Sequence, residues 1–328
     1  MKAEITSENE FPKTLHSAVK YFADPDVALQ FAIKMRWPDG VVKCPRCNSL
    51  RVSFTAKRRV WTCEDCPKRR QFSIKVGTIM EDSPIPLDKW IVGMWLIMGA
   101  KNGISSYELH RALGITQKSA WFLGHRIRTT IQSGSVVKDQ LKGIVEVDES
   151  WIGGSARNMH KSKKAKVMKG NCNTALTPVQ GLLERGTREK CSQVKMQIIR
   201  STKRAELHGN VKKYVLKGTE VQTDALYSYR GLDADYTHKV VDHAVAYVQD
   251  GVHTNGLENF WSLLKRSIRG TYVSVEPFHL HRYLDEQVFR FNERKDDDQG
   301  RFLKAWAGVF GKRLCYATLT GADTAPLR

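Results

Sequence analysis

Two carboxylates open the chemical reading of this chain. In "GIVEVDESWIGG", residues 143–154, an apolar run ends in Asp148 and Glu149, and a Gly-Gly turn follows. Val145 and Val147 mark a buried strand that leads straight to Asp148. A bare carboxylate at the end of such a strand is costly unless a cation or a proton accompanies it. "TEVQTDALYSYRGL" repeats the pattern, with Asp224 closing a short strand. A later helix, "NGLENFWSLLKRSI", offers Glu258 in its first turn or so, with thirty-three residues between it and Asp224. Each acid alone has a plainer explanation. Asp224 suits the cap of a helix starting at Ala225, and Glu258 is a favourable charge near a helix N-terminus. Together, converging at one end of a sheet, three carboxylates must share protons or bind hard cations. Two Mg2+ ions held this way suit phosphoryl chemistry.

A second constellation lies in "CPRCNSLRVSFTAKRRVWTCEDC", residues 44–66: C-x2-C, fifteen residues, C-x2-C. Each CxxC places two thiolates on one tight turn, and two such turns supply a tetrahedral set for Zn2+. Cys44, Cys47, Cys63 and Cys66 form a closed set with no position left for water, so the expected site is structural. "RVSFTA" and "RRVWTC" read as the two strands of a ribbon too small to bury much surface, so metal ligation supplies its folding energy. Lys57, Arg58 and Arg59 at the ribbon tip, and "KRR" at 68–70, are candidate phosphate contacts.

The elements that must position these groups fall in order along the chain. A helix is expected from about Val27 to Met35, ended by Pro38 and Gly40. The apolar run "WIVGMWLIMGA", residues 90–100, reads as a buried helix, short of the ~20 residues that span a bilayer. In "ISSYELHRALGITQKSAWFLGHRIRTTIQ", Ser105 and Glu108 make a capping box, and Leu109, Ala112 and Leu113 form an inner face. Gly114 fits a turn, and Thr116 caps a second helix with Ala120, Leu123 and Ile127 inward. This is helix-turn-helix spacing, and Lys118, His125, Arg126 and Arg128 are expected on the basic outer face of the second helix. From residue 142 the order becomes three strands, helix, strand, helix, strand, helices: a mixed sheet flanked by helices, as in an RNase H-like domain. The fold class is therefore α/β. The expected division is an N-terminal helical segment (1–40), a zinc ribbon (41–80), a helix-turn-helix-like DNA-binding segment (84–135), an RNase H-like domain (142–295) and a C-terminal tail (296–328), closing in the loose "GADTAPLR".

Composition narrows the partners. Hydrophobic content of 41% and charged content of 27% are ordinary for a globular protein, but a net charge of +19 is not. Such an excess attracts polyanions, nucleic acid above all. Basic amphipathic helices and lipidation signals are not seen, so a membrane partner is not expected. The polar start "MKAEITSENEFPK" is unlike a signal peptide, and seven cysteines without an export signal argue against a disulfide framework.

"VEVDESWIGG", "VQTDALYSYRGL" and "HTNGLENFWSLLKRSIRGTY", with "WPDGVVKCPRC" in front, resemble the DDE-type insertion-sequence transposases that carry an N-terminal zinc ribbon, the ISXO2-like group. The likeness runs from about residue 20 to 295. It implies an RNase H-like catalytic core, Mg2+ or Mn2+, and cut-and-join chemistry on the terminal inverted repeats of an element. It further implies double-stranded DNA as partner, a homo-oligomer on DNA, and a cytoplasmic, nucleoid-associated location in a bacterium. By position, Asp148 and Asp224 match the first two acids. Related groups place either Glu or Asn third, and this chain offers Glu258 and Asn255. Glu258 carries charge and stands on the helix; Asn255 suits a helix cap or an amide ligand to one metal. Lys265, seven residues beyond Glu258 on the same helical face, matches the family's basic residue near the scissile phosphate. His243 and His253 lie close in sequence and are left outside the metal set.

Three other functions compete. A non-catalytic, transposon-derived DNA-binding regulator needs no acids. A simple RNase H-type nuclease does not need the DNA-binding sequence before residue 135. A tyrosine recombinase, using Tyr227 or Tyr229, wants an Arg/His cluster in place of the carboxylates.

Overall fold

The computed structural model describes residues 11–132, 139–153, 159–169, 172–173, 176–241 and 251–322. Two compact units emerge, one from residues 1–131 and 296–328, the other from residues 132–295.

The first unit begins with α1 (Leu15–Tyr21), held by a Thr14–Ser17 capping box, and α2 (Pro25–Arg36), with Asp24 as N-cap and Pro25 at the first helical position. The ribbon follows as β1 (Val52–Thr55), β2 (Val60–Cys63) and β3 (Gln71–Phe72), all antiparallel. β3 was not foreseen. It pairs Trp61 with Phe72, whose rings stack at 5.6 Å, giving the small module an aromatic floor. α3 (Leu87–Gly99) is the apolar run, buried on most of its circumference. α4 (Ser106–Leu113) carries the expected Ser105–Glu108 capping box and ends at Gly114 in left-handed conformation. α5 (Gln117–Arg128) starts at the expected Thr116 cap. Leu109, Leu113, Ala120, Leu123 and Ile127 point inward as expected, but Ala112 is exposed.

The second unit contains β4 (Ile144–Ile152), α6 (Lys161–Val167), the short β5 (Met168–Lys169) and β6 (Cys172–Asn173), β7 (Thr177–Glu184), β8 (Gln193–Ile198), α7 (Arg204–Tyr214), β9 (Glu220–Asp224), β10 (Thr237–Val241), α8 (Asn255–Arg266) and α9 (Leu280–Asn292). Five strands form one sheet in the order β10-β9-β4-β7-β8. β4 and β7, and β7 and β8, are antiparallel; β4 and β9, and β9 and β10, are parallel. This is the mixed sheet expected for an RNase H-like domain, with the Asp148 strand beside the Asp224 strand. Helices cover both faces. Leu257, Phe260, Trp261 and Leu264 of α8, with Tyr283, Leu284 and Val288 of α9, pack on Val179, Leu183 and Val194. On the other face Leu207 and Val211 of α7 pack on Val145, Val147, Leu182 and Val221.

Several local expectations are corrected. β4 does not end at Asp148: its ladder with β7 continues to Ile152 opposite Thr177, and only the ladder with β9 stops at Val147–Thr223. Among the described residues, β9 and β10 are joined through 3-10 turns at Tyr227–Tyr229 and Leu232–Ala234, not through an α-helix. α7 ends at Tyr214, where Val215 turns extended and bridges to Leu141.

The chain then returns to the first unit as α10 (Asp298–Ala307) and α11 (Tyr316–Thr320), so the segment from 296 is not a tail. Phe302 and Trp306 are fully buried in an aromatic cluster with Phe22, Phe31 and Trp95, with Trp95 and Phe302 at 4.7 Å. Residues 323–328, most of the expected loose end, lie outside the described residues.

Candidate active site and zinc centre

The parallel register of β4 and β9 brings two of the predicted acids together. Val147 pairs with Thr223, and the next residue on each strand is an aspartate, Asp148 on one and Asp224 on the other. In a parallel pair, matched residues face the same side of the sheet, here the side covered by α8. Glu258 stands on the exposed side of the first turn of α8. Burial first, then the charges of Asp224 and Glu258, push the Asp148 carboxyl up to about 6. Two hydrogen bonds oppose that rise: Trp261 Nε1 donates to one carboxylate oxygen at 2.9 Å, and the Glu149 N–H to the other at 2.8 Å. Asp224 accepts from the Leu226 N–H at 3.1 Å, which closes the turn after β9 and does not start a helix.

Glu149 faces the opposite side of the sheet. Burial, reinforced by Asp148 and Asp224, lifts it to about 8. The Tyr229 hydroxyl donates to it, and Gln180 in turn donates to that hydroxyl at 3.2 Å.

The donor chemistry of this cluster fits a hard divalent cation: Asp148 is a partly buried carboxylate whose charged form burial disfavours, and Asp224 and Glu258 add further carboxylate oxygens near it. Asn255 is the first residue of α8, one turn before Glu258, and Thr254 occupies the cap position assigned to Asn255. Lys265 lies two turns beyond Glu258 on the same face, half-buried. His253 lies 3.5 Å from the Glu146 carboxylate, and His243 is outside the described residues.

The four cysteines converge more tightly. Cys44–Cys66, Cys47–Cys63 and Cys47–Cys66 sulfurs are 3.7, 3.5 and 3.4 Å apart, and all four lie within 4.8 Å of one another. Tetrahedral Zn–S bonds require sulfurs about 3.8 Å apart. Burial acts against ionising Cys44, but donors from Arg46, Cys47 and Cys66 outweigh it and lower the thiol to about 7. Cys66, whose thiol donates a hydrogen bond to Cys47 and which is buried, is pushed up to about 12. One thiolate forms readily and the next resists, as expected of a nest that a dication would neutralise. Among the described residues, no other group of three or more such ligands lies within 4.8 Å, so the site carboxylates stand farther apart than the sulfurs.

Comparison with known proteins meets both centres. The model of the ISXO2-like transposase domain matches residues 140–292, and that of a transposase zinc-ribbon domain matches residues 24–69, together more than half of the chain. The chain belongs to the ISXO2-like transposases. A protein in the transposable element ISH50 of Halobacterium salinarum is 24% identical over 295 residues, covering 83% of this chain and 94% of that protein. A transposase-like protein of Haemophilus influenzae is 28% identical over 116 residues, covering 35% of this chain and 93% of its own length. No described helix is long and apolar enough to cross a membrane.

For this ISXO2-like transposase, part of the predicted DNA-contacting set must be revised. Lys118 is exposed, with its ammonium 4.8 Å from the Tyr316 ring centre, and Arg58 is exposed at the ribbon turn. Arg59 is exposed but paired with Asp26 at 2.6 Å. His125, Arg126 and Arg128, expected on an outer face, are buried. Arg126 donates to the carbonyls of Leu314 and Glu81 at 3.0 and 2.9 Å and lies over the Phe122 ring. The segment before α11 covers this side of α5, and nothing local in sequence signals that cover. Arg126 is thus a structural tie within the first unit.

The sequence reading also missed Trp261 and Gly181. Trp261 follows Glu258 by three residues, so the helical period already sets it beside the acid. Gly181 is directly opposite Asp148 in the β4–β7 ladder, and a Cβ there would lie 2.9 Å from both Leu257 and Trp261. Its lack of a side chain is what lets α8 close on the sheet next to Asp148.

Proposed function

We propose that this transposase binds the terminal inverted repeats of its insertion sequence and catalyses divalent-metal-dependent strand cleavage and strand transfer. What supports this reading is the parallel register that sets Asp148 beside Asp224 where the β4–β9 ladder stops, with Glu258 near enough for its charge to act on Asp148. Asp148, Asp224 and Glu258, with Asn255 as the alternative third ligand, hold Mg2+ or Mn2+. The bound ions supply charge stabilisation for the attacking and leaving oxygens. Trp261 fixes the orientation of Asp148, and α8 holds Glu258 over the sheet. Lys265 contacts a phosphate near the scissile bond.

Water displaces the 3′-oxygen at the element's end, leaving a 3′-OH. That hydroxyl then attacks a target-DNA phosphate, exchanging one phosphodiester for another, so no nucleotide hydrolysis is required. The zinc ribbon, held by Cys44, Cys47, Cys63 and Cys66, and exposed cations such as Arg58 and Lys118 grip the DNA. Two ends must be joined, so the working form is a homo-oligomer on DNA in the bacterial cytoplasm, at the nucleoid. A labelled terminal repeat incubated with target DNA and Mn2+ tests this. Strand transfer that disappears in Asp148→Asn is the expected result. Nicking without joining points instead to a nuclease, and binding without cleavage to a regulator.

A further inference from the structure

Beside the site acids in the chain runs a polar clamp centred on the buried carboxylate of Glu146. Glu146 lies two residues before Asp148, on the same face of β4, with its side chain almost wholly buried. One of its oxygens accepts the Leu257 N–H of α8 at 3.0 Å, so the acceptor at this helix start comes from a strand 111 residues earlier. The other accepts Arg185 Nε at 2.7 Å. Arg185, just past β7, also donates to Gln222 Oε1 at 2.7 Å, to the His253 carbonyl at 2.8 Å and to the Gly251 carbonyl at 3.2 Å. Gln222 Oε1 in turn accepts the His253 N–H at 3.0 Å. At Gly256 a Cβ would lie 2.8 Å from the Glu146 carboxylate, so the helix start is seated directly on that group.

Three arms of the clamp lie beside the site acids in the chain. Glu146 is two residues from Asp148, Gln222 two from Asp224, and Leu257 one from Glu258. A buried carboxylate paired with a guanidinium whose other donors are also engaged is held firmly, and removing the guanidinium leaves the buried charge uncompensated. We propose that Glu146 and Arg185 are positioning residues that fix the start of α8, and with it the third metal-binding residue, against Asp148 and Asp224. The proposal rests on the catalytic reading of those acids. The clamp touches no reacting atom; it acts through the placement of α8, where errors of an ångström are felt in rate.

The test is a double-mutant cycle on strand transfer with full-length protein, Mn2+ and a terminal-repeat substrate. It joins Arg185→Gln with whichever of Glu258→Gln and Asn255→Ala lowers the wild-type rate more. Arg185→Gln is expected to lower the rate roughly 10- to 100-fold while the Kd for terminal-repeat DNA stays within about twofold. The second substitution should then cost much less in the Arg185→Gln background than in wild type, because the group it removes is already misplaced. Arg185→Lys, which keeps the charge, should restore part of the loss, and it replaces Arg185→Gln in the cycle if the latter melts early. Losses that simply multiply, or a fall in DNA affinity that matches the fall in rate, overturn the clamp's role. Asp148→Asn runs alongside. If wild-type transfer survives that change, the catalytic reading falls and the clamp's role falls with it. If it does not, a multiplicative cycle refutes the clamp alone.

Discussion

Asp148 and Arg126 show at residue scale how burial reverses what a charge does. The folded value of Asp148, about 6, lies above the ordinary 3.8, and that of Glu149, about 8, lies above 4.5. A fold that holds a proton more tightly than the unfolded chain is favoured at low pH. Its contribution is fully present below the ordinary values and is lost as pH rises through about 6 for Asp148 and about 8 for Glu149. Thermal melts of zinc-loaded protein should therefore show wild type losing ground to Asp148→Asn between pH 4 and 6. Added Mn2+ should raise the wild-type Tm at pH 7 and leave that of Asp148→Asn nearly unmoved. Arg126 and Lys118 make the complementary pair. Arg126→Ala strips donors from the buried Leu314 carbonyl and the half-buried Glu81 carbonyl and should cost about 2–4 kcal/mol in denaturant unfolding. Lys118→Ala should leave stability within about 0.5 kcal/mol and reduce the salt slope of DNA binding by roughly one.

At the scale of elements, the order of strands and helices around the acids was readable because alternation and helical periodicity are local signals. Val145 and Val147 betray β4, and Leu257, Phe260, Trp261 and Leu264 betray the buried stripe of α8. The extension of β4 past Asp148 was not readable. Its pairing with β7 sustains that extension, and the run Asp148-Glu149-Ser150 carries no apolar alternation of its own. The burial of Arg126 was hidden for a similar reason: its carbonyl partner on Leu314 is 188 residues away. The neighbourhood of Asp148 and Asp224 was legible from chain order, whereas the groups packed around Asp148, Trp261 and the Gly181 gap, needed the packed sheet. Gly181→Ala tests that packing. A methyl there drives α8 off the sheet, so it should destabilise the protein by about 1–3 kcal/mol and lower strand transfer more than DNA binding.

For the whole molecule, the unit that carries the candidate site acids, residues 132–295, is inserted within the chain of the first unit. α10 supplies Phe302 and Trp306 to the core of that first unit, and the segment following it ties down Arg126. Phe or Trp truncations in such cores cost about 3–5 kcal/mol. A chain cut after Lys295 should therefore lose its terminal-repeat binding, although the zinc ligands and the site acids all remain, and its first unit should give no cooperative melt. Chelation of zinc from the intact protein should likewise abolish terminal-repeat binding, because the ribbon depends on the metal for its fold.

In the proposed site, acids distant in sequence gather divalent ions. Anomalous diffraction from Mn2+-soaked crystals would reveal them. Manganese peaks are expected at the carboxylates of Asp148 and Asp224, with Glu258 or Asn255 completing the set, and no such peaks in Asp148→Asn. Well-ordered wild-type crystals with Asp148 and Asp224 free of manganese, or with manganese bound there equally in Asp148→Asn, would contradict it.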